Sequence, residues 1–510
     1  MTYYYISENI PRRVFLKLGI TGGAAIALAP SALSQLLYSN ASEEAKTNLD
    51  IEPQILSRTI KKALEKGGDF AEVYIEHRIS RAILLEESKF KSAVFHISQG
   101  AGVRVLSGIK TGYAYTEIID EASLLKAAET ASFIAQGAKK IKPVAIKPSK
   151  RKSFVKVKVP LETVADAKRM DAMQRAHQAA LDYDKKITMV SVTYRDHERK
   201  RLIANSEGLF IKDGLPIIYF IVQALAVGED TQHMGMERVS KRAGFEQLDE
   251  VKPEEVARAA AREAVTLLDA KETPAGKMDV VLQNGWGGVL VHEAVGHPLE
   301  ADNIAKEIGA FTGKMGKKVA SDIFTMIDDG TIINARGTTS FDDEGTQMKR
   351  NVLIENGVLV KFITDILSAR QLTLERTGNG RRQDYRYMPI PRMTNTFIAA
   401  GKDKPEDILA STPKGLYVQS LSGGSVNPIT GTFNFTCREA YLIEDGKKTY
   451  PVKGATLIGS CMEIISNVDA VGNDLDYGPG TCGKSSQYVE VTAGQPTVRI
   501  RNINVGGTKG

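Results

Sequence analysis

Apolar residues recur at helical spacing in several stretches of the chain. "PQILSRTIKKALEKG" (53–67) reads as an amphipathic helix, and two more are predicted near 121–138 and 161–182. The strongest helical pattern is "KPEEVARAAAREAVTLLDA", with Pro253 near its start and "KETPAG" breaking it. Other stretches read as strands: "FAEVYIEHR", "RAILLEESKFKSAVFHI" and, through Gly-rich turns, "QGAGVRVLSGIKTGYAYT". Further strands are expected around 187–228, after a basic, Pro-containing connector at 140–152. From Asp279 onward, short β-rich runs punctuated by Gly dominate, and no long helix is expected after about residue 376. The predicted fold class is α+β. An N-terminal α/β domain (51–240) leads through a linker helix (241–276) to a β-rich, barrel-like C-terminal domain (277–510).

One segment departs from simple periodicity. In "MDVVLQNGWGGVLVHEAVGHPLEAD" a buried strand runs into a tight glycine turn and then into a helix carrying His292, Glu293 and His297. The zinc-peptidase helix has the form H-E-x-x-H, which puts both histidines on one face with the glutamate beside them. Here the spacing is H-E-x-x-x-H, so on a regular helix the second ring would lie about 140° around from the first. Pro298 disfavours the α region at His297, and Gly296 lowers the cost of a distortion. A wound first turn with an unwound or π-like end would point both imidazoles at one ion. Two histidines make a weak site, because catalytic zinc usually takes three protein ligands and keeps one position open. Glu300 and Asp302 are local candidates for the third, and His233, Cys437, Cys461 and Cys482 are distant ones. Spacing does not choose among them.

Composition narrows the function classes. The chain has 510 residues, 42% of them hydrophobic and 25% charged, which suits two or three globular domains. A net charge of +6 is small for this length, so nucleic acid is not an expected partner. The basic runs "RDHERKR" (195–201) and "KPSKRKSF" (147–154) lack interleaved aromatics and read as solvated loops or strand ends. Three widely spaced cysteines do not form a disulfide framework. Residues 1–34 stand apart. Arg12 and Arg13 precede Phe15, Leu16 and Lys17, and a mildly apolar Gly/Ala run follows. This resembles a twin-arginine export signal, which implies a periplasmic or extracellular protein. A cytoplasmic protein, or one anchored to the membrane by this segment, is the alternative.

Several long motifs, in order, carry a family resemblance: "HEAVGHPLEAD", "GTTSFDDEGTQMKRNVLIENGVLVKFITD", "GLYVQSLSGGSVNPITGTFNFTCREAYLIEDG", "PVKGATLIGS" and "GTCGKSSQ". Over nearly everything after residue 51 the chain resembles the TldD/PmbA family of metallopeptidases, and its HExxxH is like that of the catalytic TldD type. The resemblance implies Zn2+ bound by His292, His297 and Cys482, with Glu293 as general base. It also implies two subunits, a homodimer or a heterodimer with a PmbA/TldE-like chain, closing a tunnel for extended peptides. In "LSGGSVNPITG", Gly423 and Gly424 would let a substrate peptide lie against backbone, or else simply shape a hairpin turn. Leu421 and Ser422 stand where relatives often carry another glycine. Glu300 and Asp302 are candidates to orient a ligand, and Cys437 and Cys461 are expected to be packed core thiols. The implied activity is zinc-dependent endopeptidase. The competing reading is a non-catalytic modulator subunit with a structural metal.

Overall fold

Period-two alternation in unusually long strands builds the first layer. The computed structural model describes residues 49–507 apart from Pro428, so the leader 1–34 lies outside the described residues. Strands Phe70–Glu86, Lys89–Ser107, Ile187–Asn205 and Leu209–Val227 form the centre of a seven-stranded sheet, mostly antiparallel. Val73, Ile75, Val103 and Val105 point to one face, where helices Pro53–Ala63 and Glu121–Ala135 cover them. At the other end of the sheet, helices Asp166–Leu181 and Pro253–Leu268 cover Val192, Phe220 and Val222. The segment expected to link the halves therefore buries Val256, Ala257, Ala260 and Ala264 in the core of this first sheet.

The opposite face of the same strands is charged and buried. Glu72 and Arg201 are 0% exposed, Glu76 and Arg104 1%, and all but Glu76 meet groups from the second half of the chain. Arg382 reaches Glu72 at 2.5 Å, Arg104 reaches Glu344 at 2.6 Å, and Arg201 reaches Asp343 at 2.5 Å. This corrects the expectation for "RDHERKR". The run lies inside strand Ile187–Asn205, and its inward residues Asp196, Arg199 and Arg201 are buried in ion pairs with Arg169, Asp343 and Asp213. The buried side changes within the run, from Asp196 on the helix-covered face to Arg199 and Arg201 on the other, and the buried positions are charges satisfied by partners from other elements. "KPSKRKSF" is largely exposed, as expected.

The second half closes on itself. Strand Lys414–Val426 pairs with Gly276–Leu282 and with Thr432–Glu444. Thr432–Glu444 pairs with Thr456–Ser460, and Val498–Gly506 joins the latter to Gly276–Leu282, so five strands complete a ring. Its interior is one large apolar cluster including Val280, Val418, Phe435, Leu457 and Ile500. A six-stranded sheet lies alongside, with Gln487–Gln495 next to its last strand, Asp476–Lys484. After residue 376 the longest described helices, Pro405–Ala410 and Cys461–Ser466, have six residues each. The architecture is thus mixed α and β with a barrel-like second half.

Candidate metal centre

The segment after barrel strand Gly276–Leu282 builds the site. Gly285, at φ +82°, turns the chain, and Val289–Val291 begin a helix whose apolar side joins the barrel core. His292–Gly296 then form a π turn, and the His297 N–H donates to the His292 carbonyl oxygen. An i→i+5 bond stacks residues five apart, so this turn matches the five-residue spacing of the histidines. The expected π-like distortion is present, but the expected unwinding at His297 is not. His297 keeps φ −60° and ψ −41°, and the chain first extends at Glu300, with ψ 123°. Pro298 opens a short 3₁₀ turn, where its missing N–H is no loss. Gly296 is needed for close approach, since a Cβ there would stand 2.0 Å from Met393 Sδ.

Cys482 reaches this turn from the edge strand Asp476–Lys484. The ligating atoms of His292, His297 and Cys482 lie within 4.8 Å of one another, and all three residues are buried. Cys482 Sγ is 3.2 Å from His297 Nε2, and the two imidazoles are nearly perpendicular, at 83°. Glu300 Oε2, 2.9 Å from His297 Nδ1, sets that ring so that Nε2 faces the cluster. Both nitrogens of His292 are buried without a hydrogen-bond partner, which is costly unless something else satisfies them. Two imidazoles and a thiol around one point suit zinc in donor type and number. Burial opposes ionisation of Cys482, but His297 and His292 outweigh it and hold the thiol well below its ordinary range. Burial likewise opposes a charge on His297, and Cys482 and Glu300 overcome it, so its pKa is raised well above that of free imidazole.

Glu293 stands outside this trio. Its carboxylate is 3.5 Å from His297 Nε2, and its side chain is 24% exposed, so it faces a cleft. Glu300 and Asp302 do not join the ligating trio. Lys484, two residues after Cys482, bridges them at 2.9 and 2.7 Å and so ties the cysteine strand to the histidine turn. Burial would raise the Glu300 pKa, but Lys484 and His297 bring it down to about 2. Cys437 and Cys461 are packed thiols in the barrel core, and burial pushes Cys437 up to about 12. His233 pairs opposite Ala226 in the first sheet, apart from the cluster.

The cleft beside Glu293, about 290 Å³, is also lined by His292, Gly423 and Gly424. Both glycines lie within strand Lys414–Val426, opposite Thr436 and Phe435, and so are not in the hairpin turn. A Cβ on Gly424 would strike Phe435 at 2.5 Å, whereas around Gly423, at φ +156°, the space is open. Only Gly415–Val418 of this strand pair with Gly276–Leu282, so among the described residues the stretch after Leu421 is paired along one edge only. Sequence reasoning missed other residues of the cleft, Arg238 and Trp286 among them. Trp286, the chain's single tryptophan, set in "GWGG", was the available signal.

Comparisons with known proteins place the whole described chain in one family. The profile of the PmbA/TldA metallopeptidase C-terminal domain matches residues 275–507, that of the central domain 159–268, and that of domain 1 71–135. The chain is 40% identical over 452 residues to the Metalloprotease TldD homolog of Haemophilus influenzae, covering 86% of this chain and 93% of the relative. It is 26% identical to the Zinc metalloprotease TldD homolog of Saccharolobus solfataricus, over 88% of this chain and 99% of that one. Among solved structures, TldE from Thermococcus kodakarensis has the same fold, with a TM-score of 0.71 at 21% identity, covering 89% of this chain and 100% of that one. The chain belongs to the TldD/PmbA family of metallopeptidases.

Proposed function

We propose that this protein is a zinc-dependent endopeptidase of the TldD type, cleaving peptide bonds in extended or unfolded chains. The observation that carries the reading is the placement of Glu293 beside the His292–His297–Cys482 trio, on its cleft side and outside it. His292, His297 and Cys482 would hold a zinc ion, which when bound would supply Lewis acidity to a water and to the peptide carbonyl. Glu293 takes the water's proton on its carboxylate and returns it to the leaving amine nitrogen. Glu300 holds His297 in one tautomer, and Lys484 holds Glu300. The strand edge at Gly423 and Gly424 receives the substrate as an added strand, which favours chains without tertiary structure. A purely structural metal site has no use for Glu293, and this weighs against the modulator reading.

Glu293→Gln separates the two readings. The variant is expected to keep its zinc by elemental analysis and to lose about 100- to 10,000-fold in cleavage of a flexible peptide, the usual worth of a general base. Both proteins are assayed with and without a PmbA/TldE-like partner chain, because the site is proposed to work in a homodimer or such a heterodimer. Equal rates for the two proteins would remove the carboxylate from the mechanism. The leader supports export by the twin-arginine route to the periplasm or beyond. Replacing Arg12 and Arg13 by Lys should leave precursor in the cytoplasm on fractionation, since the translocase reads the arginine pair.

A further inference from the structure

Two cavities meet at Arg238 and Trp286. One is the cleft containing His292 and Glu293, and the other is a polar pocket of about 380 Å³ lined by the same pair. The indole is fixed: its Nε1 donates to the Leu421 carbonyl oxygen at 3.1 Å, and Gly478 and Gly480 leave it room that a Cβ would fill. The Arg238 guanidinium carbon lies 4.2 Å from the centre of that ring. Lys241, Glu237 and Asp476 also line the pocket, and two further cations there are committed to carboxylates. Arg262 makes two 2.9 Å bonds to Glu439, and Arg438 is 2.7 Å from Glu263. Arg238 has no carboxylate in ion-pair contact among the described residues, and it lines both cavities. The pocket also holds Gln247, which is 1% exposed, with both amide atoms buried and without a hydrogen-bond partner. An unpaired buried amide is an expensive feature, and its donor and acceptor complement a peptide group.

We propose that Arg238 receives a carboxylate of the peptide substrate, with the residue that carries it lodged in the 380 Å³ pocket against the Gln247 amide. This rests on the peptidase reading and specifies its substrate class. A guanidinium held against an aromatic ring presents its planar fork with little rotational freedom left to lose, which suits two parallel bonds to a carboxylate. The carboxylate comes from an Asp or Glu side chain or from the chain's free C-terminus, two sources with one chemistry.

Trp286 reports on this subsite directly, because no other tryptophan contributes to the protein's emission. Three acetylated peptides of equal length are titrated against the purified protein: one neutral with an amidated end, one amidated with an internal Glu, and one neutral with a free C-terminus. At least one carboxylate peptide is expected to bind about tenfold tighter than the neutral one, and the arm that does so identifies the source. Arg238→Gln should abolish the preference, and Arg238→Lys should restore part of it. Equal binding of all three peptides by the wild type, or a preference that survives in Arg238→Gln, would overturn the proposal. Even if Arg238→Gln fails to fold, the wild-type comparison still decides. The readout is binding, so a carboxylate preference without any cleavage, either alone or with a PmbA/TldE-like partner chain, would sink the peptidase reading and leave the subsite standing.

Discussion

Cys482 is the member of the proposed zinc trio that stands farthest in sequence from the others. It is 1% exposed and 3.2 Å from His297, and two imidazoles favour its thiolate over the thiol. A serine hydroxyl in its place is a much poorer zinc donor, so Cys482→Ser should lose more metal affinity than Glu300→Ala. Removal of an orienting partner such as Glu300 typically costs about 10- to 100-fold. Cys437→Ser, in the barrel core, should keep its zinc. Competition with a chelating dye measures all three, and full affinity in Cys482→Ser would exclude it as a ligand. The histidines could be paired from their spacing together with the distortion that Gly296 and Pro298 announce. Cys482 could not, because it lies 185 positions from His297 and on a sheet strand rather than on the histidines' helical turn, so only the family resemblance singled it out. Lys484 and Arg238 carried no local signal either, since their roles depend on strands that meet only in the folded chain.

The π turn His292–Gly296 is where sequence and backbone geometry are most tightly linked. Five-residue spacing, a glycine before the second histidine and a proline after it announced a distorted helix, and the distortion is there. The sequence did not reveal that proline would leave His297 in the helical region, because packing against the barrel core overrides the local bias. Met393, 0% exposed, fills the space that Gly296 leaves beside the turn. Gly296→Ala should therefore destabilise the protein by about 1–3 kcal/mol through overpacking and weaken zinc binding along with it. Shortening the neighbour tests the cause. Met393→Ala alone leaves a cavity and is also destabilising, but in the double variant the two defects should partly cancel. Urea unfolding of the four proteins gives the coupling, and additive losses would show that the glycine serves the backbone rather than Met393.

At the scale of the whole molecule, the first sheet and the second half share a buried ionic layer that the sequence concealed. Its strands alternate as amphipathic strands should, and their inward charges looked solvent-facing because the partners lie up to 310 positions away. Glu72, Arg382 and Asp343 form its centre, and removing one member of such a set typically costs about 3–5 kcal/mol. Arg382→Met should therefore be severely destabilising. Glu344 behaves differently. Burial dominates and Asp365, Asp342 and Glu72 add to it, so despite Arg104 its pKa is pushed up to about 8. At neutral pH it is then largely protonated in the folded protein and ionised in the unfolded chain. The folded state binds more protons in that window, so stability falls as pH rises from the ordinary glutamate range to about 8. Glu344→Gln keeps the shape and an acceptor for the Ile366 N–H, now held by Glu344 at 2.7 Å, and removes the titration. The variant should gain on the wild type steadily between about pH 5 and pH 8 in denaturant unfolding. A gap between the two proteins that stays constant across that range would mean that Glu344 is ionised in the folded state and that the layer is held by charge on both sides.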